Sequence, residues 1–392
     1  MIQLDDERKQ YSSPIASIKV IGVGGAGGNT VNSMMSSDWC DIEFIVANTD
    51  SQALHLSAAP VKIQLGQKST KGLGAGANPE LGRRAAEEDI EKVLEAVGNA
   101  EIVFLAAGMG GGTGSGATQV ISQALRERGI LTIAIVTKPF TFEGKRRKQI
   151  AEQAVESLKN HVDTLIVVPN QKLLDVVGTD VSMIDAFSMI NEVLNQSVRG
   201  ISEIITRAGH INVDFADLRT VMKDRGIAVM GTGRARGENR AKEAALRAIS
   251  SPLLENMSIQ GAQGILLNIT GGATLGIHEI NQAASIIYEQ ADEDAHIIFG
   301  SVIDESLGDE IVITVVATGF DNNPAMAQVR QDIQVKGTVL DRTQEAKKQE
   351  ASYQGETARK TGSALVDTND LDIPAFLRAE MTKKREQESD QV

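Results

Sequence analysis

Aromatic residues are scarce in this chain. They make up 3% of its 392 positions, with one tryptophan, so any large core must be aliphatic, and at 42% hydrophobic content the material for one is present. Cysteine is scarcer still. Cys40 stands alone, which excludes an internal disulfide framework and a cysteine-rich zinc site; it reads as structural filler near Trp39. The five histidines are scattered, and none pairs at ligand spacing. Positive charge is in deficit, with 39 Lys+Arg against 52 Asp+Glu and a net charge of −13. A general nucleic-acid binder would show a basic stripe instead, so no nucleic-acid partner is expected. No apolar run approaches the length that crosses a bilayer, and the first residues hold no apolar signal-peptide stretch. The expectation is a cytoplasmic protein with no direct membrane insertion. The Gly-Lys-Ser/Thr ending of a P-loop occurs nowhere, which sets aside an ordinary P-loop NTPase.

Glycine, by contrast, is plentiful, and it is densest at residues 108–116, which read Gly-Met-Gly-Gly-Gly-Thr-Gly-Ser-Gly. An apolar run, 102–107, leads in like a buried strand, and 117–128 can be helical. Bare N–H groups lining a turn beside the positive end of a helix make an anion site, most often for phosphate. Thr113 and Ser115 add hydroxyls that could serve phosphate or a metal-bound water. The plain alternative is a flexible surface loop.

Along the chain, residues 1–14 are polar and are expected to be a flexible N-terminus. A β-branched strand, 18–23, runs into Gly22-Val-Gly24-Gly25-Ala26-Gly27-Gly28-Asn29, a Gly-x-Gly-x-x-Gly match at 22, 24 and 27. A second strand, 42–47, ends at Asn48-Thr49-Asp50, where an acidic residue can meet a ribose hydroxyl. Alone, this is a dinucleotide fingerprint and supports a nicotinamide-dependent oxidoreductase as the second reading. A strand at 61–65 precedes a glycine-rich, mobile-looking stretch, 66–78, read either as a connector or as a flap over a terminal phosphate. Pro79 then opens a helix to 97. A strand at 130–136 follows the central loop, and a helix from Glu143 to about His161 begins with Lys145, Arg146 and Arg147. Cations at a helix start oppose its dipole, so a phosphate or solvent must compensate. A strand at 164–168 ends at Pro169-Asn170. Alternating strands and helices imply a parallel sheet covered by helices, with both glycine loops at its C-terminal edge.

Apolar residues at Ile184, Phe187, Ile190, Leu194, Val198, Ile201 and Ile205 make a continuous helical stripe over 182–207. Phe187 and Asn191 share a face; a ring that stacks and an amide that donates and accepts suit a purine, although a core phenylalanine explains Phe187 as well. In Asn212-Val213-Asp214-Phe215-Ala216-Asp217, the two carboxylates either cap and charge the helix 215–222 or orient a water. A second α/β unit is expected to 320, with strands at 227–231, 264–269, 295–302 and 310–318 and helices at 239–249 and 275–292. Residues 321–370 have the composition of a disordered linker. Within the tail an apolar island, Leu371 to Arg378, reads as a partner-binding peptide, and 379–392 return to mixed charge.

Together, 24–29, 48–50, 72–79, 108–116, 137–140, 187–191, 212–217 and 371–378 resemble, in order and over nearly the whole chain, the FtsZ family of bacterial tubulin-like division GTPases. Ser115 stands where that family often has threonine, and Thr118-Gln119 replaces a common Ala-Pro. The resemblance implies a GTP-binding domain at 15–181 with a Rossmann-type parallel sheet, a central helix at 182–207, and a smaller α/β domain at 208–320 whose loop 208–218 is catalytic. It implies that Gly24, Gly25 and Asn29 contact phosphates or ribose, with Asn48 and Asp50 also at the nucleotide. Gly108, Gly110, Gly111, Gly112, Thr113, Gly114 and Ser115 would cradle phosphates, with Ala75, Gly76 and Ala77 facing the γ-phosphate. Glu143, Arg147 and Asn170 would lie near ribose and phosphates, and Phe187 and Asn191 would hold guanine. Asn212, Asp214 and Asp217 would enter the next subunit's pocket in a head-to-tail homopolymer and position the attacking water. GTP/GDP and Mg²⁺ are the cofactors implied. Division adaptors and membrane tethers would read Leu371 to Arg378 at the mid-cell ring. A scaffold that assembles without hydrolysis is the third reading, and needs Asp214 and Asp217 to act only as helix caps.

Overall fold

The computed structural model describes residues 16–37, 39, 41–174, 181–207, 209–251 and 259–320. Cys40, the first 14 residues and the linker, peptide and tail from 321 onward lie outside these.

The aliphatic runs become strands because each can be buried on both sides. In β1 (Ile18–Val23), Ile18 and Val20 join one core while Ile21 and Val23 join the other. β4 (Ile102–Gly108) divides the same way, with Ile102 and Phe104 opposite Val103 and Leu105. Such double burial belongs to parallel sheets with helices on both faces. β2 (Ile42–Asn48), β3 (Val61–Gln64), β5 (Leu131–Lys138) and β6 (Thr164–Pro169) complete a parallel block in the order β3-β2-β1-β4-β5-β6.

Helices α1 (Gly24–Met34), α7 (Met183–Thr206) and α8 (Phe215–Met222) cover one face; α3 (Pro79–Val97), α4 (Thr113–Glu127) and α5 (Lys145–Leu158) cover the other. α7 is about 36 Å long at 1.5 Å per residue, and the Ser182 side chain accepts from Asp185 N at its start. Its stripe is buried from Ile190 to Ile201, but Ile184 is 76% exposed and Phe187 40%, so the first turn of the predicted stripe is not core.

The sheet does not stop at β6. β8 (Gly226–Arg236) pairs parallel with β6 through Thr164, Leu165 and Ile166. β11 (Glu310–Thr318), β9 (Gly264–Gly271), β10 (His296–Ile303) and β7 (Gly209–Ile211) then follow to make one eleven-stranded sheet among the described residues. α9 (Arg240–Ile249) and α10 (Ile277–Tyr288) accompany this half. The buried guanidinium of Arg240 pins them together, bonding to Glu279 at 2.7 Å and Asp309 at 2.7 Å.

Several elements differ from the sequence expectation. α4 starts at Thr113, inside the glycine run, not at residue 117. α2 (Ser51–Leu56) and α6 (Asn170–Leu174) are short helices that follow strands directly. The stretch 66–78 is tied down rather than loose: Gly66 N donates to Asp89 Oδ2 at 2.7 Å, Lys68 N to Glu88 Oε1 at 2.8 Å, and Gly74 N to Thr49 O at 3.2 Å. α3 departs from helical dihedrals at Asp89, the residue that reaches Gly66.

Candidate nucleotide site

A cleft of about 460 Å³ lies where β1, β4, β5 and β6 end, its wall including Val23, Gly108, Thr137 and Asn170. That is the edge where open α/β sheets bind ligands. Pockets for small molecules and cofactors span roughly 300–1,000 Å³.

Its floor is the glycine loop. α4 begins after Gly112, which supplies no side-chain cap, so the N–H groups of the first turn point at the cleft without an internal acceptor from a cap. Two kinds of glycine meet here. Gly116 cannot be anything larger, because a Cβ would stand 1.9 Å from Pro79 O, where α3 and α4 cross backbone to backbone. Gly25 and Gly111 are different: a Cβ on either meets nothing within 4 Å. Both line the cleft, so the fold itself sets no limit on their size.

The hydroxyls divide. Thr113 lines the cleft and shares a 2.6 Å hydrogen bond with Thr49, joining the loop to the end of β2. Ser115 is fully buried, and its Oγ accepts from Gly110 N at 2.9 Å. Its hydroxyl closes the glycine loop on itself, which corrects the expectation that it faces phosphate or a metal-bound water.

Asn29, Gly108, Gly111, Gly112, Gly114, Glu143, Arg147, Asn170, Phe187 and Asn191 all line the cleft, as the sequence reading places them. Gly24, Gly110, Asn48, Asp50, Ala75, Gly76 and Ala77 do not. Gly24 packs on Gly114, where a Cβ would be 3.0 Å from Gly114 N. Ala75 sits behind Gly112, 2.8 Å from where its Cβ would be. Asp50 caps α2, accepting from Gln52 N at 2.9 Å and Ala53 N at 3.2 Å, so its carboxylate is engaged at a helix start rather than held out for a ribose.

One of the cations at the start of α5, Arg147, finds an internal partner. Glu143 pairs with Arg147 at 2.7 Å and also accepts from Phe140 N at 2.9 Å. Lys145 and Arg146 are exposed. Asn170 is 4% exposed, and its Oδ1 has no hydrogen-bond partner among the described residues. A buried, unpaired acceptor on a cleft wall marks a place for a ligand donor. Phe187 is held edge-on by Phe140, with ring centroids 5.5 Å apart, and Phe140 in turn stacks on Phe142 at 5.0 Å. The sequence reading missed Phe140 as the buttress of Phe187, and it missed Thr30 in the cleft wall. Ring contacts between residues 47 positions apart leave no local pattern.

Asn212, Asp214 and Asp217 lie elsewhere. Asp214 Oδ1 accepts from Asp217 N at 2.8 Å and caps α8; Asn212 Oδ1 accepts from Gly209 N at 2.8 Å; all three side chains are exposed. α8 packs against strand beginnings: Arg219 donates to Gly129 O just before β5, and Thr164, the first residue of β6, bonds to Met222 O. β5 has eight residues, so at about 3.3 Å per residue the strand beginnings that α8 touches and the cleft are roughly 26 Å apart along the sheet. Among the described residues, no group of three or more His, Cys, Asp or Glu side chains could cage a metal ion.

A parallel sheet, an uncapped helix start on its C-terminal edge, an aromatic face and a buried free acceptor define a nucleoside-phosphate-binding α/β protein. Residues 17–178 match the GTPase domain of the Tubulin/FtsZ family, and 226–321 match the FtsZ family C-terminal domain. The chain is similar to an empty FtsZ dimer from M. jannaschii, with 41% identity and a TM-score of 0.75 over 78% of this chain and 89% of that one. A point mutant of FtsZ from the same organism gives 40% identity and a TM-score of 0.74 over 78% and 91%. A GDP-bound CetZ1 monomer from Haloferax volcanii shares the fold, at 23% identity and a TM-score of 0.68 over 82% and 99%. The chain belongs to the FtsZ family, and its GTPase domain makes it a GTPase.

Proposed function

We propose that this chain binds and hydrolyses GTP while polymerising head-to-tail into filaments of the division ring, each hydrolysis site being completed between adjacent subunits. One observation carries the reading. The carboxylates of α8 stand at the opposite end of the strands from the cleft, so a chain cannot bring its own Asp217 to its own phosphates. A second copy, stacked end to end, can. Head-to-tail contacts that do not close give filaments, and the similar structures include an FtsZ dimer and a GTPγS-bound CetZ2 protofilament.

In this reading the first-turn N–H groups of α4, with Gly25 and Gly111, take the phosphates. Glu143 and Arg147 take the ribose side, and Phe187 and Asn191 take guanine. Phosphoryl transfer needs positioning and charge stabilisation more than a covalent group. Exposed Asp217, together with Asn212, would orient the attacking water, while Asp214 fixes the turn that presents it. Mg²⁺ fits without a protein cage, since it is commonly held through substrate phosphates; the Thr113 hydroxyl lining the cleft would offer it a neutral oxygen, and the ion would neutralise triphosphate charge. Division adaptors and membrane tethers would bind Leu371 to Arg378.

The test is phosphate release from GTP with Mg²⁺ across a series of protein concentrations. A threshold followed by rising specific activity supports a shared site; constant activity per molecule places the whole site in one chain and refutes it. Asp217→Ala is expected to keep GTP binding and assembly but lose most turnover.

A further inference from the structure

Thr30 lies in α1, 1% exposed, on the wall of the cleft. Its Oγ1 is 3.0 Å from Ala26 O and 3.1 Å from Asn191 Oδ1. Both are hydrogen-bond distances between oxygens, yet a hydroxyl carries one proton. The Ala26 carbonyl can only accept. The proton therefore goes to Ala26 O, the bond a helical threonine makes to the residue four before it. The second contact then needs a proton from Asn191. An amide turned by 180° about its last bond fills the same space with its ends exchanged, so Asn191 can supply one from Nδ2. The opposite arrangement, with Thr30 donating to Asn191, leaves two oxygens facing each other at 3.0 Å with no hydrogen between them.

With Nδ2 turned to Thr30, Oδ1 is left toward the cleft as an acceptor. The guanine edge presents N1–H and a 2-amino group, both donors. Adenine presents an unprotonated N1, which repels an acceptor. We propose that Thr30 is a positioning residue for base choice: it fixes the amide of Asn191 so that the cleft accepts from guanine and rejects adenine. This rests on the placement of guanine at Asn191 proposed above.

The test is calorimetric titration of the full chain with GDP and ADP, which avoids turnover. Thr30→Val keeps the shape and removes the hydroxyl, freeing the amide to turn. GDP affinity is expected to fall about tenfold while ADP affinity holds or rises, and Thr30→Ser is expected to restore the preference. In an Asn191→Asp background a carboxylate accepts in either orientation, so Thr30→Val should no longer change the GDP-to-ADP ratio. Should valine prevent folding, Thr30→Ala gives the same comparison. Equal weakening of GDP and ADP would reduce Thr30 to packing and overturn the inference, leaving the guanine site standing. A wild-type chain with no preference for GDP over ADP would remove the guanine site and this inference with it.

Discussion

Replacing Gly111 by alanine separates a glycine kept for a ligand from one kept for the fold. The Gly111 φ is not in the left-handed region, and an added Cβ meets no atom within 4 Å. Alanine there narrows the unfolded ensemble and is expected to stabilise the free protein by about 0.4–1 kcal/mol. At roughly 2–4 °C per kcal/mol, Tm should hold or rise by a few degrees. If phosphate rests against this backbone, the same methyl overpacks the complex by about 2 kcal/mol, roughly thirtyfold in Kd. Gly116→Ala is the contrast, since its Cβ would be 1.9 Å from Pro79 O. The crossing of α3 and α4 must open, and Tm should fall by several degrees. Thermal melts beside GDP titrations read both effects. Wild-type GDP affinity in Gly111→Ala, with its Tm intact, would refute phosphate contact at this residue.

Other perturbations reach different parts of the molecule. Asp89→Ala strands the Gly66 N–H and removes the partner of Lys92, 2.6 Å away; a loss of about 1–3 kcal/mol is expected in urea unfolding. Burial pushes the Asp89 carboxyl up, but Lys92 and the N–H groups of Gly66 and Gln67 outweigh it and hold it below its ordinary 3.8. Its contribution is therefore present above that pH and lost as pH falls through the folded value, so the variant should show a flatter acid limb. Glu203 has the opposite sign. Burial raises it above its ordinary 4.5 although Arg207 and Arg199 oppose the rise. Wild-type stability should fall as pH climbs from 4.5 through the raised value, and Glu203→Gln should lack that fall; parallel stability curves would contradict this. Phe187→Ala should weaken GDP by about 1–3 kcal/mol through lost stacking, with little change in Tm because the ring is 40% exposed.

The strand runs were legible because aliphatic density alone marks a strand buried on both faces; the predicted 310–318 strand and 215–222 helix match β11 and α8. What the sequence hid was tertiary. Glycines at 114 and 116 argue locally against a helix, yet α4 begins at Thr113 because close approach to Gly108 O and Pro79 O admits nothing larger. Asp50 reads as a ribose ligand from its spacing, and the chain uses it as the cap of α2. The joining of two expected sheets through β6 and β8 depends on strands separated by α7 and α8, which no local spacing reports. In the site, the glycine loop was legible from residue type, while the cleft residues of α1 and α7 came with the family resemblance. The inward turn of Ser115 and the pairing of Thr30 with Asn191, 161 positions away, were not.

Because β1, β4, β5 and β6 all run the same way, the molecule has two chemically unlike poles. In a head-to-tail row every buried cleft faces the Asp217 of a neighbour, and one cleft, at the terminal subunit, faces only water. On the proposed reading, that last triphosphate would lack the carboxylate that completes its site and would outlive the rest. A row of the proposed kind would therefore carry a chemical mark at one end, kept in nucleotide rather than in shape.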